Sequence, residues 1–112
     1  MLIIRSRGEN LDSNKKHRLL QLIGLAQRAG RIVSGEEFVV DAIRKGQTRL
    51  VFLAEDAAAN LTKKISDKSN TYQVEIVTAF STLELSAAVG KTRKVVAVTD
   101  AGFTKKMRSI ME

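Results

Sequence analysis

Cysteine is absent from this 112-residue sequence, and histidine occurs only once. Without cysteine the chain cannot form disulfide bonds, cysteine-rich zinc sites or a cysteine nucleophile. His17 lies in a basic run, residues 15–18, with no carboxylate beside it to form a metal site or a catalytic triad. We therefore expect His17 to be a solvated side chain, and we expect the protein to use no metal and no cofactor.

Aromatic side chains and long apolar runs are also scarce. The four phenylalanines and one tyrosine are too few to form a surface on which successive bases of a single strand stack. No apolar run approaches the roughly 18 residues of a membrane span, and the apolar stretch 1–4 is too short for a signal peptide. These absences predict a soluble, cytoplasmic protein.

Glycine-rich phosphate cradles are missing as well. Neither G-x-G-x-x-G nor G-x-x-x-x-G-K-[ST] occurs, which excludes nucleotide binding by those routes. The sequence Ala54-Glu55-Asp56 follows an apolar run and can in principle hold Mg²⁺ at a strand end, but a helix cap explains it more simply. No catalytic constellation remains, so we predict a protein that is not an enzyme.

Positive charge is what the chain has in excess. Nineteen Lys and Arg against 12 Asp and Glu give a net charge of +7 and an isoelectric point near 10.1. Residues 1–33 hold seven basic and two acidic side chains, residues 34–56 hold three and five, and residues 57–112 hold nine and five. A strongly basic chain favours a polyanionic partner, and nucleic acid is the first candidate.

The segment 31–56 carries the clearest structural pattern, which is strand, turn, helix, turn and strand. Ser34 and Glu37 have the spacing of a capping box, and Gly35 permits a tight turn between strand and helix. The helix ends at Lys45-Gly46, and its apolar positions recur at helical spacing: Phe38, Val39, Ala42 and Ile43. The apolar run 50–54 predicts a strand that is covered on both faces.

Helices and strands alternate along the rest of the chain. We predict helices that begin after Ser13, Asp56, Ser81 (a second capping box, with Glu84) and Asp100, and strands at 32–33, 74–79 and 95–99. Because parallel strands need helical crossovers, this alternation predicts a three-layer α/β/α sandwich with a small mixed, mostly parallel four-stranded sheet. Residues 1–12 read as an N-terminal arm and residues 13–112 as a single domain.

Two strand-to-helix turns are candidate binding sites. Helix N-termini present unpaired N–H groups and a partial positive charge, so the turns at Ser34-Gly35 and Phe80-Ser81 can hold phosphate or base edges. Capping alone also explains both sequences, and the two interpretations are equally open from spacing. Phe80 is a large apolar group at such a turn, and we expect it to be exposed.

Several of these motifs together resemble a known family. The segments 31–35, 44–46, 49–56 and 85–90 resemble the kink-turn-binding family of large-subunit ribosomal proteins. The segments 25–30, 33–36 and 98–103 are similar to a small bacterial branch of that family called YlxQ. The resemblance covers residues 17–112. It implies a non-enzymatic α/β/α sandwich that recognises a sharply bent RNA helix–internal loop–helix.

The resemblance also implies a set of site residues. In the family, the turn and first helical residues after the glycine read tandem G·A pairs, and the turn before the fourth helix holds a flipped-out nucleotide that the start of the third helix helps to enclose. Carried over to this chain, these positions are Ser34, Gly35, Glu36, Glu37, Phe38 and Asp41, then Ala79, Phe80 and Ser81, and finally Ala58. The family carries asparagine, glutamate and lysine where this chain has Glu37, Phe38 and Asp41.

These substitutions predict altered contacts, because ionised Glu37 only accepts hydrogen bonds and Asp41 repels phosphate. We expect Gly35 to position the backbone, Glu37 to accept from a guanine amino group and Phe80 to pack on the extruded base. Arg31, Arg44 and Lys91 would meet phosphates. The predicted partner is structured RNA, with ribosomal RNA in the ribosome as the expected target, and the protein is expected to bind it as a monomer.

Two other functions stay open from the sequence. RNA could be bound by charge and shape through the basic first helix, at Lys15, Lys16, Arg18 and Arg28. Alternatively, the acidic central segment could meet a basic protein partner, which would make the chain a protein-interaction module.

Overall fold

The computed structural model describes the backbone of residues 6–7 and all of residues 11–112. The rest of the predicted N-terminal arm lies outside the described residues. Ten elements follow in chain order: β1 (Ser6–Arg7), α1 (Ser13–Arg28), β2 (Ile32–Ser34), α2 (Glu36–Arg44), β3 (Leu50–Leu53), α3 (Ala59–Tyr72), β4 (Glu75–Val77), α4 (Thr82–Val89), β5 (Val95–Val98) and α5 (Ala101–Met111). Within these ranges, none of the helices is both long and apolar enough to cross a membrane.

The strands form one mixed sheet in the order β1-β4-β3-β5-β2. β4 pairs in parallel with β1 and β3, whereas β5 pairs antiparallel with both β3 and β2. Four strands therefore run in one direction and β5 alone opposes them. The predicted α/β class is confirmed, and β1 adds a short fifth strand to the four predicted ones. The alternation of helices and strands does not predict that β5 is antiparallel to its neighbours. A helical connection can lead the chain to either end of a sheet, so both strand directions fit the same pattern.

The common strand direction gives the sheet two functionally different edges. We call the edge where β2, β3 and β4 end, at Ser34, Leu53 and Val77, the carboxyl edge. The opposite edge, where these strands begin, is the amino edge. β5 starts at the carboxyl edge, because Val95 is in register with Leu53, and it ends at the amino edge beside Leu50.

Helices cover the sheet on both faces, and alternate strand residues face opposite layers. Leu50, Phe52 and Ala54 lie in the core formed with α1, α4 and α5, whereas Val51 and Leu53 lie in the core formed with α2 and α3. All four residues of β3 are buried. The predicted strand with two covered faces is therefore confirmed.

The N-termini of the helices show which of the predicted capping residues are correct. The predicted capping box before α4 is confirmed, since Ser81 Oγ accepts from Glu84 N–H at 3.1 Å and Ser81 N–H donates to Glu84 Oε1 at 2.9 Å. Asp100 caps α5 as predicted, accepting from Phe103 N–H at 2.9 Å. Ser13 is not the cap of α1. That role belongs to Asp12, which accepts from Lys15 N–H at 2.8 Å.

Candidate functional site

The turn that opens α2 is built differently from the predicted capping box. Ser34 is a buried β2 residue, and Gly35 is the N-cap, with no side-chain hydrogen bond to the first turn. Gly35 N–H donates instead to Val95 O at 3.0 Å, which fastens the turn to β5. The prediction of a Ser34–Glu37 box is therefore wrong, because strand pairing holds Ser34 in the sheet. The first turn of α2 keeps its amide groups without a capping side chain.

Arg93 holds the other side of this turn. Its Nε donates to Ser34 Oγ at 3.0 Å, and its Nη1 donates to Thr92 O at 2.8 Å. Ser86 Oγ fixes the Arg93 backbone by accepting from its N–H at 2.9 Å and donating to its carbonyl at 3.2 Å. Sequence reasoning missed Arg93. The signal was the basic cluster Lys91, Arg93 and Lys94 between Gly90 and the next strand.

The loops that follow β3 and β4 are joined to each other at the carboxyl edge. Glu55 N–H donates to Phe80 O, and Ala54 N–H donates to Lys94 O, each at 2.8 Å. Asp56 Oδ1 accepts from both the backbone N–H and the Oγ1 of Thr82, each at 2.8 Å. Asp56 therefore supports the first turn of α4 and does not cap α3, whose N-cap is Ala58. The three loops form one hydrogen-bonded surface.

Asp56 is held as an anion by these contacts. The hydrogen bond from Thr82 N–H, then that from the Thr82 hydroxyl, lower the pKa of Asp56 below its ordinary value, and the positive charge of Lys94 adds a smaller effect. No group of three or more His, Cys, Asp or Glu positioned to hold a metal occurs within residues 11–112. Because Asp56 already binds Thr82, the acidic loop serves to join two helices.

We expect Asp56→Asn to lower the melting temperature at neutral pH and to have no effect in strong acid. A carboxyl whose folded-state pKa is lowered stabilises the fold above its unfolded pKa, and this contribution disappears as the pH falls through the lower folded value. Thermal melts of both proteins at about pH 7 and about pH 2 measure the difference. Glu55→Gln is the matched control, and an equal melting-temperature loss in that variant would contradict the assignment to Asp56.

The exposed apolar side chains of this edge are not the predicted ones. Phe80 is only 1% exposed, and its ring packs on Phe52 with centroids 5.9 Å apart, so the expectation of an exposed Phe80 is wrong. The chain turns inward at Phe80, and the side chain joins the core under α1, α4 and α5. Packing of the Phe80 ring on an extruded base is incompatible with this burial.

Within residues 11–112, Phe38 and Leu83 are the large apolar side chains that this edge exposes. Phe38 is 70% and Leu83 is 80% exposed, and each lies in the first turn of a helix that starts at the carboxyl edge. Phe38 shares the helical spacing of Val39, Ala42 and Ile43 but not their burial, since α2 buries Val39, Val40, Ala42 and Ile43. Leu83 was missed. The signal was its spacing of two residues from Leu85, which puts the two side chains on opposite sides of a helix.

The structure gathers most of the predicted site residues at the carboxyl edge and leaves three elsewhere. Gathered there are Ser34, Gly35, Glu36, Glu37, Phe38, Ala58, Ala79, Phe80, Ser81 and Lys91. Asp41 lies further along α2 and pairs with Lys45 at 3.0 Å. Arg31 and Arg44 lie at the amino edge, because β2 begins after Arg31 and α2 ends at Arg44. These two arginines therefore lie at the opposite ends of β2 and α2 from Gly35, and their contact with phosphates stays a prediction.

Charges of both signs surround the gathered residues. Within residues 11–112 they include the carboxylates of Glu36, Glu37, Glu55, Asp56 and Glu84 and the cations of Lys64, Lys91, Arg93 and Lys94. Lys64 Nζ bonds Glu36 Oε2 at 2.7 Å and so links α3 to α2. The edge therefore offers hydrogen-bond acceptors, free helix-terminal amides, cations and two apolar side chains within one surface.

This architecture has a close counterpart in a Giardia lamblia protein described as a 15.5kD RNA binding protein. The two structures align with a TM-score of 0.78 over 90% of this chain and 88% of that one. At 17% sequence identity, the likeness concerns the fold alone.

The sequence profile of the ribosomal protein L7Ae/L30e/S12e/Gadd45 family matches residues 17–108, and the chain belongs to that family. Within it, the chain is 39% identical over 102 residues to a protein named RNA-binding protein YlxQ from Enterococcus faecium, covering 91% of this chain and 99% of that protein. A Bacillus subtilis (strain 168) protein of the same name is 46% identical over 92 residues, covering 81% and 92%. The resemblance to the YlxQ branch is confirmed.

A solved structure at higher sequence identity has the same fold. It is described as a protein of unknown function from Bacillus halodurans, is 40% identical, and aligns with a TM-score of 0.79. The alignment covers 84% of this chain and 96% of that one.

Proposed function

We propose that this protein binds structured RNA through the carboxyl edge, recognises a kink-turn-like bend, and performs no chemistry on it. The observation that carries the proposal is the opening of α2, where uncapped first-turn amides lie beside the 70% exposed ring of Phe38. A solvent-exposed phenylalanine next to free donors suits a base and its neighbouring phosphate. The RNA-binding names of the YlxQ relatives support the same function.

Each group at the edge has a role that follows from its chemistry. The amides of the first α2 turn donate to phosphate or to base edges, and exposed Glu37 accepts from a guanine amino group. Phe38 and Leu83 supply the apolar contact to an extruded base. The resemblance implied this role for Phe80, which is buried. Lys91 and Lys94 meet phosphates, while Arg93 also holds the turn at Ser34.

Asp41 does not oppose this mode as strongly as its charge suggests. Its carboxylate pairs with Lys45 of the next helical turn at 3.0 Å. Both side chains are about half exposed, so the pair adds little stability. It does, however, place a cation directly beside the anion, and this reduces the repulsion that a phosphate near α2 would meet.

A kink-turn RNA and a mutant lacking its tandem G·A pairs test the proposal directly. We expect the protein to prefer the intact kink at both low and high salt, because base contacts do not depend on salt as phosphate contacts do. We expect Phe38→Ala or Leu83→Ala to weaken binding to the intact kink by about tenfold, the loss of about one base contact of 1–3 kcal/mol. The measurement is a fluorescence titration of each labelled RNA.

Tyr72→Ala is the matched control, since Tyr72 is exposed but lies at the end of α3, at the amino edge. Its affinity for the intact kink should equal that of the unsubstituted protein. Equal, strongly salt-dependent binding of both RNAs would overturn the proposed recognition.

Ribosomal RNA is the structured RNA that we propose as the natural partner, in keeping with the ribosomal proteins of the family. Cosedimentation with purified large subunits, repeated after Phe38→Ala, tests this choice. Persistence of the complex after nuclease treatment would favour the protein-interaction alternative instead.

A further inference from the structure

We propose that three exposed arginines at the amino edge form a second RNA-contacting surface, which holds the phosphate backbone of another RNA segment. We call the surface formed by Arg28, Arg44 and Arg49 the arginine edge. The inference goes beyond the proposed function, because it concerns the end of the sheet opposite the kink-turn site. Its bridging role rests on the proposed function, whereas its capacity to bind RNA does not.

The fold places these three arginines at the same end of the sheet, although they come from separate parts of the sequence. α1 ends at Arg28 just before β2, α2 ends at Arg44, and Arg49 directly precedes β3. Arg49 lies where β3 begins, and Arg28 and Arg44 lie where α1 and α2 end, at the same end of the sheet. All three side chains are exposed. None of them makes an ion pair or side-chain hydrogen bond with residues 11–112.

The carboxylates of the same edge are already engaged. Asp100 caps α5 and lies 3.8 Å from Arg31 Nε, and Asp41 pairs with Lys45. Glu75 is buried and accepts from Arg108 Nε at 3.0 Å. The arginine edge therefore keeps its full positive charge for an external anion.

A cleft lies beside one member of this surface, Arg49. It has a volume of about 270 Å³ and lies between the end of β5, the start of α5 and the loop before β3. Arg49 and Arg108 both line it, and Arg108 is oriented by a hydrogen bond from Nη2 to Arg49 O at 3.0 Å. Two arginines and one carboxylate residue, Asp100, therefore line the same cleft.

The two edges differ in charge. The carboxyl edge has five carboxylates and four cations, as given above. The amino edge has three carboxylates, Asp41, Glu75 and Asp100, against the cations Arg28, Arg31, Arg44, Lys45, Arg49 and Arg108. Among these described residues, the amino edge has a net charge of +3 and the carboxyl edge a net charge of −1, so the amino edge is the more basic of the two.

Phosphate is the ligand that this arrangement suits. A guanidinium presents a planar set of donors that matches phosphate oxygens, and it stays charged at any working pH. Exposed arginines on several elements suit sequence-independent contact with a nucleic-acid backbone.

Binding of a plain RNA duplex without any kink tests the arginine edge independently of the kink-turn site. We expect Arg44→Gln/Arg49→Gln to weaken duplex binding and to lower the slope of log affinity against log salt by about 2, close to one unit for each lost phosphate contact. Lys16→Gln/Arg18→Gln on α1 is the control, because it removes the same charge. Thermal melts of both variants verify folding.

The outcomes separate this inference from its rivals. A drop confined to Arg44→Gln/Arg49→Gln supports the arginine edge. An equal or larger drop in the α1 variant would overturn it and would favour the first helix, and unchanged binding in both variants would overturn it too.

The bridging role needs one further measurement. Kink-turn RNA is immobilised, the protein is bound to it, and capture of a labelled duplex is recorded. We expect capture by the unsubstituted protein and loss of capture by Arg44→Gln/Arg49→Gln, with kink-turn binding retained. Failure of kink-turn discrimination with intact duplex binding would remove the proposed function only.

Discussion

Phe80→Ala is expected to lower the free energy of unfolding by about 3–5 kcal/mol, the usual cost of removing a buried aromatic ring. Phe80 is 1% exposed and packs on Phe52, so truncation leaves a cavity at the centre of the core under α1, α4 and α5. A loss of this size is a large share of the free energy of unfolding of a domain of this length. Urea unfolding monitored by circular dichroism measures it.

Phe38→Ala is the control, because the same atoms are removed from an exposed ring. We expect its unfolding free energy to stay within about 0.5 kcal/mol of the unsubstituted protein. The order of the two variants is reversed for RNA binding. Phe38→Ala is expected to weaken it, because only this variant removes a proposed base contact. A Phe80→Ala protein that is as stable as Phe38→Ala would show that Phe80 is not part of the core.

Gly35→Asn is expected to destabilise the fold by about 1–3 kcal/mol and to weaken RNA binding at the same time. Gly35 has φ of 94° and ψ of 151°, a combination that is open essentially to glycine alone. An added side chain would also lie against Arg93, whose Nε is 3.7 Å from the position of a Cβ. Relief of the strain would shift the turn that presents the first α2 amides.

Gly90→Asn provides the comparison, because Gly90 has φ of 85° and ψ of 11°, the left-handed region that asparagine tolerates. A Cβ at Gly90 meets no atom within 4 Å. We expect this variant to lose clearly less stability than Gly35→Asn in the same urea experiment. Equal losses would indicate that the Gly35 turn relaxes without strain.

Most of the fold was predictable because its signals are local and repeated. The apolar run of β3, the capping box at Ser81 and Glu84, and the cap at Asp100 each depend on residues within four positions of one another. These elements form the covering layers and the centre of the sheet, so the α/β/α class followed from them.

The candidate site was only partly predictable, since its residues are brought together by distant contacts. Ser34 is 59 positions from Arg93, and Asp56 is 26 positions from Thr82. A serine before a helix indicates a cap unless a strand partner holds its backbone, and here β5 holds it. The exposure of Phe38 and the burial of Phe80 likewise depend on how α2 and the β4–α4 turn meet the sheet.

The sequence by itself determined the secondary structure, the sandwich class and the resemblance to a family of RNA-binding proteins, because helix caps, apolar spacing and motif order are written along the chain. Only the tertiary structure decided the direction of β5, the inward turn of Phe80 and the separation of Arg31 and Arg44 from Gly35. The physical reason is that strand pairing and core packing fix where each turn points, and both act between segments that are far apart in sequence.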